Sequence, residues 1–223
     1  MSREANSIWH PSPNFGPRRD GLKPELIVLH YTAMQSAKAA VERLCDPACE
    51  VSAHYVISAQ GQLTQMVEED MRAWHAGAGT WCGQGDVNSR SIGVELDNDG
   101  TSPFAAAQID ALEILLRGIM ERWSIPATGV IGHSDMAPGR KIDPGPRFDW
   151  VRLARQKLAG HSCFKNPALP PNADLFCKLA CAAGYPQDAD FETLLGTVRL
   201  RFRPWAKGPL DAADMALFPG QTL

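Results

Sequence analysis

Short apolar runs alternate with amphipathic helical patterns along the first 160 residues of the chain. The runs are too brief for helices and rich in branched residues, which predicts β-strands at residues 25–32, 54–57, 63–67, 91–96 and 130–131. Apolar residues at helical spacing, started by Ser36, Pro103 and Asp149, predict helices at residues 36–44, 103–123 and 149–159. Turn residues around Gly61 join two of the strands in a hairpin. This order favours an α/β fold with a mixed central β-sheet flanked by helices.

The chain changes character after residue 160. Pro and Gly residues there separate helical patterns at residues 175–183, 191–202 and 211–217. These patterns predict a small C-terminal all-helical appendage packed on the first unit, with a division into residues 1–160 and 161–223. The Pro-rich first twenty residues are expected to form a surface arm. Residues 72–90 are expected to form a long loop of the kind that usually has a function.

The composition excludes several classes of protein. With 223 residues, 44% hydrophobic content and a formal net charge of −3, the chain can bury one substantial core and has no basic patch for nucleic acid. No apolar run is long enough to span a bilayer, so no membrane partner is expected. The N-terminus lacks the apolar centre of a secretory signal, which predicts a cytoplasmic protein if Met1 is the natural start.

The six cysteines allow two interpretations. In a cytosolic protein they would stay reduced and behave as small buried thiols. Cys45 with Cys49, and Cys177 with Cys181, are spaced i, i+4, which would bring the thiols together on one helical face. A four-thiolate metal site is therefore the alternative.

The segment at residues 132–150 carries His133, Lys141 and Asp143 and is rich in Gly and Pro, which predicts a loop in place of a regular helix or strand. Pro144 restricts the backbone of Asp143 and so the direction of its carboxylate. His133 follows the predicted strand at 130–131, and His30 ends the strand at 25–32. Because neighbouring parallel strands bring such ends together, His30, His133 and Asp143 are candidate ligands of one zinc ion, with a fourth position left for water.

Two further side chains fit the chemistry of a zinc hydrolase. Glu95 lies between apolar neighbours in a predicted strand, where desolvation would raise its pKa towards the range of a general base. Lys141 could stabilise the oxyanion that forms when water attacks an amide, and zinc would polarise the carbonyl. Each residue type also has a plainer interpretation: a hydrogen-bonded structural histidine, a glutamate on a solvated face or in an ion pair, and an exposed loop lysine.

Five segments between residues 8 and 155, in order and with consistent spacing, carry a resemblance to a known family. They are VLHYT at 28–32, SAHY at 52–55, RAWHAG at 72–77, NSRSIGVEL at 88–96, and GHSD at 132–135 through DPGP at 143–146. In these segments the chain resembles the zinc-dependent N-acetylmuramoyl-L-alanine amidases of type 2. This group includes the AmpD and AmiD enzymes and shares its fold with peptidoglycan recognition proteins.

The resemblance implies hydrolysis of the amide between N-acetylmuramic acid, or its 1,6-anhydro form, and the L-alanine of the stem peptide. His30, His133 and Asp143 would hold one zinc ion. Glu95 would be the catalytic base, and Lys141 would stabilise the transition state.

The resemblance also suggests substrate contacts. Trp74 and His75 match a family loop beside the cleft, where substrate contact and loop shaping are both open. Asn14 is a candidate for the mouth of the cleft, with loop structure as the alternative. His54 matches a family position, and a structural hydrogen bond is expected there. His10 and His161 have no motif context and are expected at the surface.

The expected partners are peptidoglycan fragments, either soluble anhydromuropeptides or murein, and the missing signal favours recycling of cell-wall fragments in the cytoplasm. One alternative is a non-catalytic module that recognises cell-wall fragments on the same fold, although such relatives generally lack a zinc ligand. A secreted wall-lytic enzyme is another. Residues 194–204 are similar to the helical peptidoglycan-binding module of AmiD enzymes, and both glycan binding and packing are open for this region.

Overall fold

A mixed six-stranded β-sheet forms the centre of the fold in a computed structural model that describes residues 4, 6–160 and 169–218. The strands are β1 Ile8–Trp9, β2 Phe15–Pro17, β3 Leu26–Tyr31, β4 Tyr55–Ile57, β5 Leu63–Gln65, β6 Met71–Ala73, β7 Ser91–Leu96 and β8 Val130–Gly132. The sheet has the order β1-β5-β4-β7-β3-β8, and β2 pairs separately with β6. Only β4 and β5 run antiparallel within the large sheet, as the predicted hairpin. The expected mixed α/β fold is confirmed.

Helices flank this sheet. They are α1 Ala37–Cys45, α2 Val87–Arg90, α3 Ala106–Trp123, α4 His133–Met136, α5 Trp150–Arg155, α6 Ala173–Ala182, α7 Phe191–Phe202 and α8 Ala212–Met215. Two predicted caps are confirmed, because the side chain of Ser36 accepts a hydrogen bond from the N–H of Ala39 and that of Asp149 accepts one from the N–H of Arg152.

Alternate side chains of the central strands face two different cores. Ile27 and Leu29 of β3 face the core that packs on α3, which also contains Ile92, Val94 and Leu96 of β7. On the other face, Leu26 and Val28 share a second core with the C-terminal helices, including Phe176, Leu194 and Val198. Because side chains along a strand alternate between the two faces, His30 and Glu95 lie on the second face, the one that the C-terminal helices cover.

Three predicted loops contain regular structure. The arm at the N-terminus includes β1 and β2, because the chain there pairs with free backbone groups of β5 and β6. The predicted loop at 72–90 includes the end of β6 and all of α2. The segment at 132–150 includes α4, whose first turn is closed by the Asp135 carboxylate accepting from the N–H of Gly132 at 2.8 Å. Two helix predictions were too long: α3 begins at Ala106 and α5 ends at Arg155.

The C-terminal patterns are helical as predicted, and these helices are packed on the sheet by the second core. The division at residue 160 stays a prediction. In the part of the chain that the structure covers, no helix combines the length and apolar character that crossing a bilayer requires.

Candidate active site

Three side chains meet at the carboxyl ends of the parallel strands β3 and β8. His30 is the penultimate residue of β3, and His133 follows β8 directly. Nδ1 of His30 lies 2.9 Å from Nδ1 of His133, and Oδ2 of Asp143 lies 2.9 Å from both nitrogens. The N–H of Ser134 donates to the carbonyl of Asp143 at 3.0 Å, which fixes the loop that carries the carboxylate. The structure therefore brings the three candidate ligands together, and all three are buried.

Hydrogen bonds assign the protons of both imidazoles. The hydroxyl of Ser91 donates to the carbonyl of Val87 at 2.5 Å, so its oxygen accepts from Nε2 of His75 at 3.1 Å. Nδ1 of His75 is then an acceptor for Nε2–H of His30 at 3.0 Å. Nε2–H of His133 donates to the carbonyl of Ala76 at 2.8 Å. In this assignment the Nδ1 atoms of His30 and His133 both carry lone pairs.

This donor set fits a metal ion. Two imidazole lone pairs and a carboxylate oxygen face one another at 2.9 Å with no proton assigned between them, an arrangement that a cation would stabilise. Atoms bound to one zinc ion at about 2.0–2.2 Å are at most about 4.4 Å apart, and all three pairs satisfy that limit. Burial lowers the pKa of His30 to about 4, so its ring is neutral at pH 7, as a ligand must be.

Glu95 lies beside His30, in register on the adjacent strand β7. Burial, together with the negative charge of Asp143, raises the pKa of Glu95 well above its usual range, and the positive charge of Lys141 opposes that rise. Its Oε2 is enclosed and has no hydrogen-bond partner among the described residues. A carboxylate with a free oxygen and a raised proton affinity suits a general base.

A cavity of about 570 Å³ opens beside these groups, lined by His30, Trp74, Glu95, Lys141 and Asp143 among others. Lys141 is half-buried in the loop two residues before Asp143. Its ammonium is close enough to lower the pKa of both His30 and Glu95. Arg43 and Arg140 also line the cavity. Lys141 is the cation whose charge acts on both a candidate ligand and the candidate base, so it could meet developing negative charge.

Trp74 and His75 are adjacent in sequence but have different surroundings. Trp74 is half-buried and lines the cavity. His75 also reaches the cavity, but its two ring nitrogens bond His30 and Ser91, and its ring packs over Gly93. Through these contacts His75 fixes the orientation of His30, as a residue next to a metal ligand commonly does. Substrate contact by Trp74 and His75 stays a prediction.

Asn14 is not among the residues that line the cavity. Its side chain is buried, and its amide nitrogen lies within donating distance of the carbonyls of Leu44, Asp46 and Val51, at 3.3, 2.9 and 2.8 Å. These bonds fit the alternative of loop structure, and substrate contact by Asn14 stays a prediction.

The other histidines are placed as follows. His54 is buried, and its Nδ1 accepts from the N–H of Gly93 at 3.0 Å while Nε2–H donates to the carbonyl of Met71 at 3.1 Å, which confirms the expected structural role. His10 is exposed as predicted. His161 lies outside the described residues.

Within the described residues, His30, His133 and Asp143 form the only group of three or more His, Cys, Asp or Glu side chains whose ligand atoms converge. Cys177 and Cys181 share α6, but Cys45 ends α1 and Cys49 lies beyond it. The predicted four-thiolate site is therefore not formed by these cysteines.

Sequence reasoning did not identify Ser91 as part of the site. The signal was present, because Ser91, Gly93 and Glu95 alternate with apolar residues along β7 and so share the face of His30.

Comparison with known proteins agrees with this geometry. The family profile of the N-acetylmuramoyl-L-alanine amidases matches residues 20–146. The amidase AmiD of Escherichia coli is 31% identical over 224 aligned residues, covering 86% of this chain and 80% of AmiD. The 1,6-anhydro-N-acetylmuramyl-L-alanine amidase AmpD of Escherichia coli is 35% identical over 160 residues, covering 64% of this chain and 87% of AmpD.

Solved structures of relatives cover more of the fold. AmpDh3 of Pseudomonas aeruginosa, in complex with anhydromuramic pentapeptide, has a TM-score of 0.76 at 31% identity and covers 97% of this chain and 96% of its own. AmiD in complex with anhydro-N-acetylmuramic acid-L-Ala-D-γ-Glu-L-Lys has a TM-score of 0.77 at 32% identity, with 89% of each chain covered. The profile, the relatives and the shared fold all agree: this chain belongs to the N-acetylmuramoyl-L-alanine amidase family.

Proposed function

We propose that this chain hydrolyses the amide between N-acetylmuramic acid, in its 1,6-anhydro form, and the L-alanine of peptidoglycan stem peptides, with one zinc ion held by His30, His133 and Asp143. The observation that carries the proposal is the set of three ligand atoms 2.9 Å apart, beside a carboxylate that has a free oxygen. A non-catalytic module would have no need for that carboxylate.

Each group in the site has a separate role in the proposed hydrolysis. A bound zinc ion would supply Lewis acidity, which polarises a carbonyl and acidifies water. Glu95 takes a proton from the attacking water, whose oxygen then bonds to the lactyl carbonyl carbon. Lys141 stabilises the negative charge that develops on the carbonyl oxygen. As the carbon–nitrogen bond breaks, Glu95 returns the proton to the alanine nitrogen, which leaves a carboxylic acid and a free peptide.

The substrate class rests on the relatives. AmiD and AmpDh3 have been captured with anhydromuramic peptides, and AmpD carries the 1,6-anhydro substrate in its name. Both structures cover most of this chain, so the same partners, anhydromuropeptides or murein, are proposed here. We also propose that the chain recycles cell-wall fragments in the cytoplasm, and a preference for soluble fragments over intact murein would follow.

One experiment tests the activity and the role of the metal together. The purified chain is incubated with a soluble anhydromuropeptide and, separately, with intact sacculi, each with and without prior chelation and zinc restoration. By mass spectrometry, we expect the soluble substrate to give the free peptide and the anhydro sugar acid, and sacculi to release peptide more slowly. Both reactions should vanish on chelation. Binding of the muropeptide without any product would favour the non-catalytic alternative, and full turnover in the chelated enzyme would refute the zinc site.

A further inference from the structure

A carboxylate that the proposed chemistry does not use lies two residues after His133. Asp135 is fully buried in the first turn of α4. Its Oδ2 accepts from the N–H of Gly132 at 2.8 Å and from Nη1 of Arg201, and its Oδ1 accepts from the hydroxyl of Tyr185 at 3.1 Å. Every bond that Asp135 makes across the fold therefore goes to the C-terminal helical region.

Arg201 is the ion-pair partner of Asp135 in the described chain and comes from the last turn of α7. Its Nη2 donates to the carbonyl of Val130 at 3.1 Å, so one guanidinium bonds both the start of β8 and the residue that closes the turn after it. The guanidinium carbon also lies 4.0 Å from the ring centroid of Trp150. Arg201 is 8% exposed, and its Nε is enclosed without a hydrogen-bond partner among the described residues.

These bonds fix the backbone on both sides of His133. Val130 begins β8 and Gly132 ends it, immediately before the histidine, and both are tied to the Arg201–Asp135 pair. A buried carboxylate that loses its cation is strongly destabilised, and the turn that it closes would shift. Nδ1 of His133 would then lose its direction towards His30 and Asp143.

We propose that Arg201 and Tyr185 are positioning residues for the metal site, acting on His133 through Asp135. The helical region is then a supporting part of the metal centre as well as a cover for one face of the sheet. This inference rests on the zinc site proposed above.

The test measures zinc affinity, by competition with a chromophoric chelator, in the full-length chain at a temperature well below unfolding. Arg201→Met removes the charge and keeps most of the volume, and we expect zinc to bind roughly 10–100-fold more weakly, the range typical of groups that orient a ligand. Tyr185→Phe removes one hydroxyl and keeps the packing on Trp81, so a smaller loss is expected. If Arg201→Met does not fold, Tyr185→Phe and Arg201→Lys decide the question.

A matched control lies two residues earlier on the same helix. Arg199 is as buried as Arg201 and pairs with the fully buried Asp214, at 3.0 and 2.5 Å, but this pair lies entirely within the helical region. Arg199→Met should lower the melting temperature and leave zinc affinity unchanged. An equal loss of affinity in Arg199→Met would mean that general destabilisation explains the effect and would overturn the inference.

A double-mutant cycle tests the route through Asp135. If the effect of Arg201 passes through that carboxylate, Asp135→Asn combined with Arg201→Met binds zinc more tightly than the product of the two single losses predicts. If the loss of zinc affinity in the double variant equals the product of the two single losses, the inference is overturned. Wild-type affinity in Arg201→Met would overturn it while leaving the proposed function intact, whereas a wild-type chain that binds no zinc would overturn both.

Discussion

Glu95 and His30 show how the site separates the binding of metal from the chemistry. Glu95 lies beside a candidate ligand, in register on β7, yet its carboxylate does not belong to the converging group of ligand atoms. We predict that Glu95→Gln keeps one zinc ion per chain and loses turnover by roughly 10²–10⁴-fold, the usual contribution of a general base. Metal analysis beside the muropeptide assay measures both.

His133→Ala is the contrasting variant, because it removes a ligand and should lose metal and turnover together. A Glu95→Gln chain that is free of metal would show that the two roles are wrongly assigned. In the metal-free chain, burial and the charge of Asp143 raise the pKa of Glu95 well above the usual range of a glutamate. A bound zinc ion would lower that pKa, so chelation should shift the ionisation of Glu95 to higher pH.

His54 gives a prediction about stability. Burial, with the charge of Arg18 as a second cause, lowers the pKa of His54 to about 3. The unfolded chain binds the proton near pH 6.5, so the stability contributed by the neutral ring is complete above that pH and is lost as the pH falls towards 3. Below pH 6.5 this residue should reduce the free energy of unfolding by up to about 1.4 kcal/mol per pH unit.

The measurement is urea unfolding of the chelated protein at pH 7, 6 and 5. His54→Asn keeps an acceptor for the N–H of Gly93 but loses the bond to Met71, so it should be less stable at pH 7 and show a flatter decline with acid. His10→Asn, at an exposed position, is the control and should follow the parent chain. An unchanged slope in His54→Asn would contradict the assignment.

At the scale of elements, β7 provides two surfaces at once. Its apolar residues fill the core against α3, while Ser91, Gly93 and Glu95 face the site. Gly93 is small for a steric reason: a Cβ there would lie 2.4 Å from the ring of His75. That ring bonds His30, so the strand, the histidine and the candidate metal ligand form one packed stack.

Gly93→Ala should therefore displace His75 and disturb His30. We predict a loss of about 1–3 kcal/mol in the free energy of unfolding, as for overpacked cores, and zinc binding weakened roughly 10-fold. Gly196→Ala is the matched control, because its Cβ on the exposed side of α7 would meet nothing within 4 Å. It should gain about 0.5–1 kcal/mol from helix propensity alone. Equal zinc affinity in both variants would contradict the positioning role of His75.

At the scale of the whole molecule, the second core joins the sheet to the C-terminal helices. Leu26, Val28 and Met136 pack there with Phe176 and Val198. A chain that ends at residue 160 would expose this face and leave Asp135 without Arg201 and Tyr185. The predicted boundary thus divides the sequence at a place where the packing is shared.

We predict that residues 1–160 alone do not form a stable fold. Each large core side chain contributes about 1.5–3 kcal/mol on burial, and the whole stability of a domain is only about 5–15 kcal/mol. The near-ultraviolet circular dichroism of the truncated chain should be lost, and it should unfold without a cooperative transition. A cooperative transition with near-native zinc affinity would show that residues 161–223 are a separable domain, which would favour the glycan-binding interpretation of that region.

Much of the fold and of the candidate site could be predicted from local patterns. Strands β3, β7 and β8 follow from short branched runs, and α1 and α3 from periodicity, because burial of one face leaves a regular trace in the sequence. His30 and His133 stood at the ends of β3 and β8, where parallel strands converge, and Asp143 stood in the loop that follows. The N-terminal strands were missed because β1 and β2 are two and three residues long and depend on free edges elsewhere in the sheet.

The sequence by itself determined the kinds of side chain that could reach the site and the strands that carry them, since these depend on spacing along the chain. Only the tertiary structure decided how the protons are shared among His30, His75 and Ser91, why Asn14 is a loop residue, and that Asp135 depends on Arg201, 66 residues away. Such long-range pairs leave no periodic trace, because a buried charge or hydrogen bond needs one partner in the right place and not a repeated pattern.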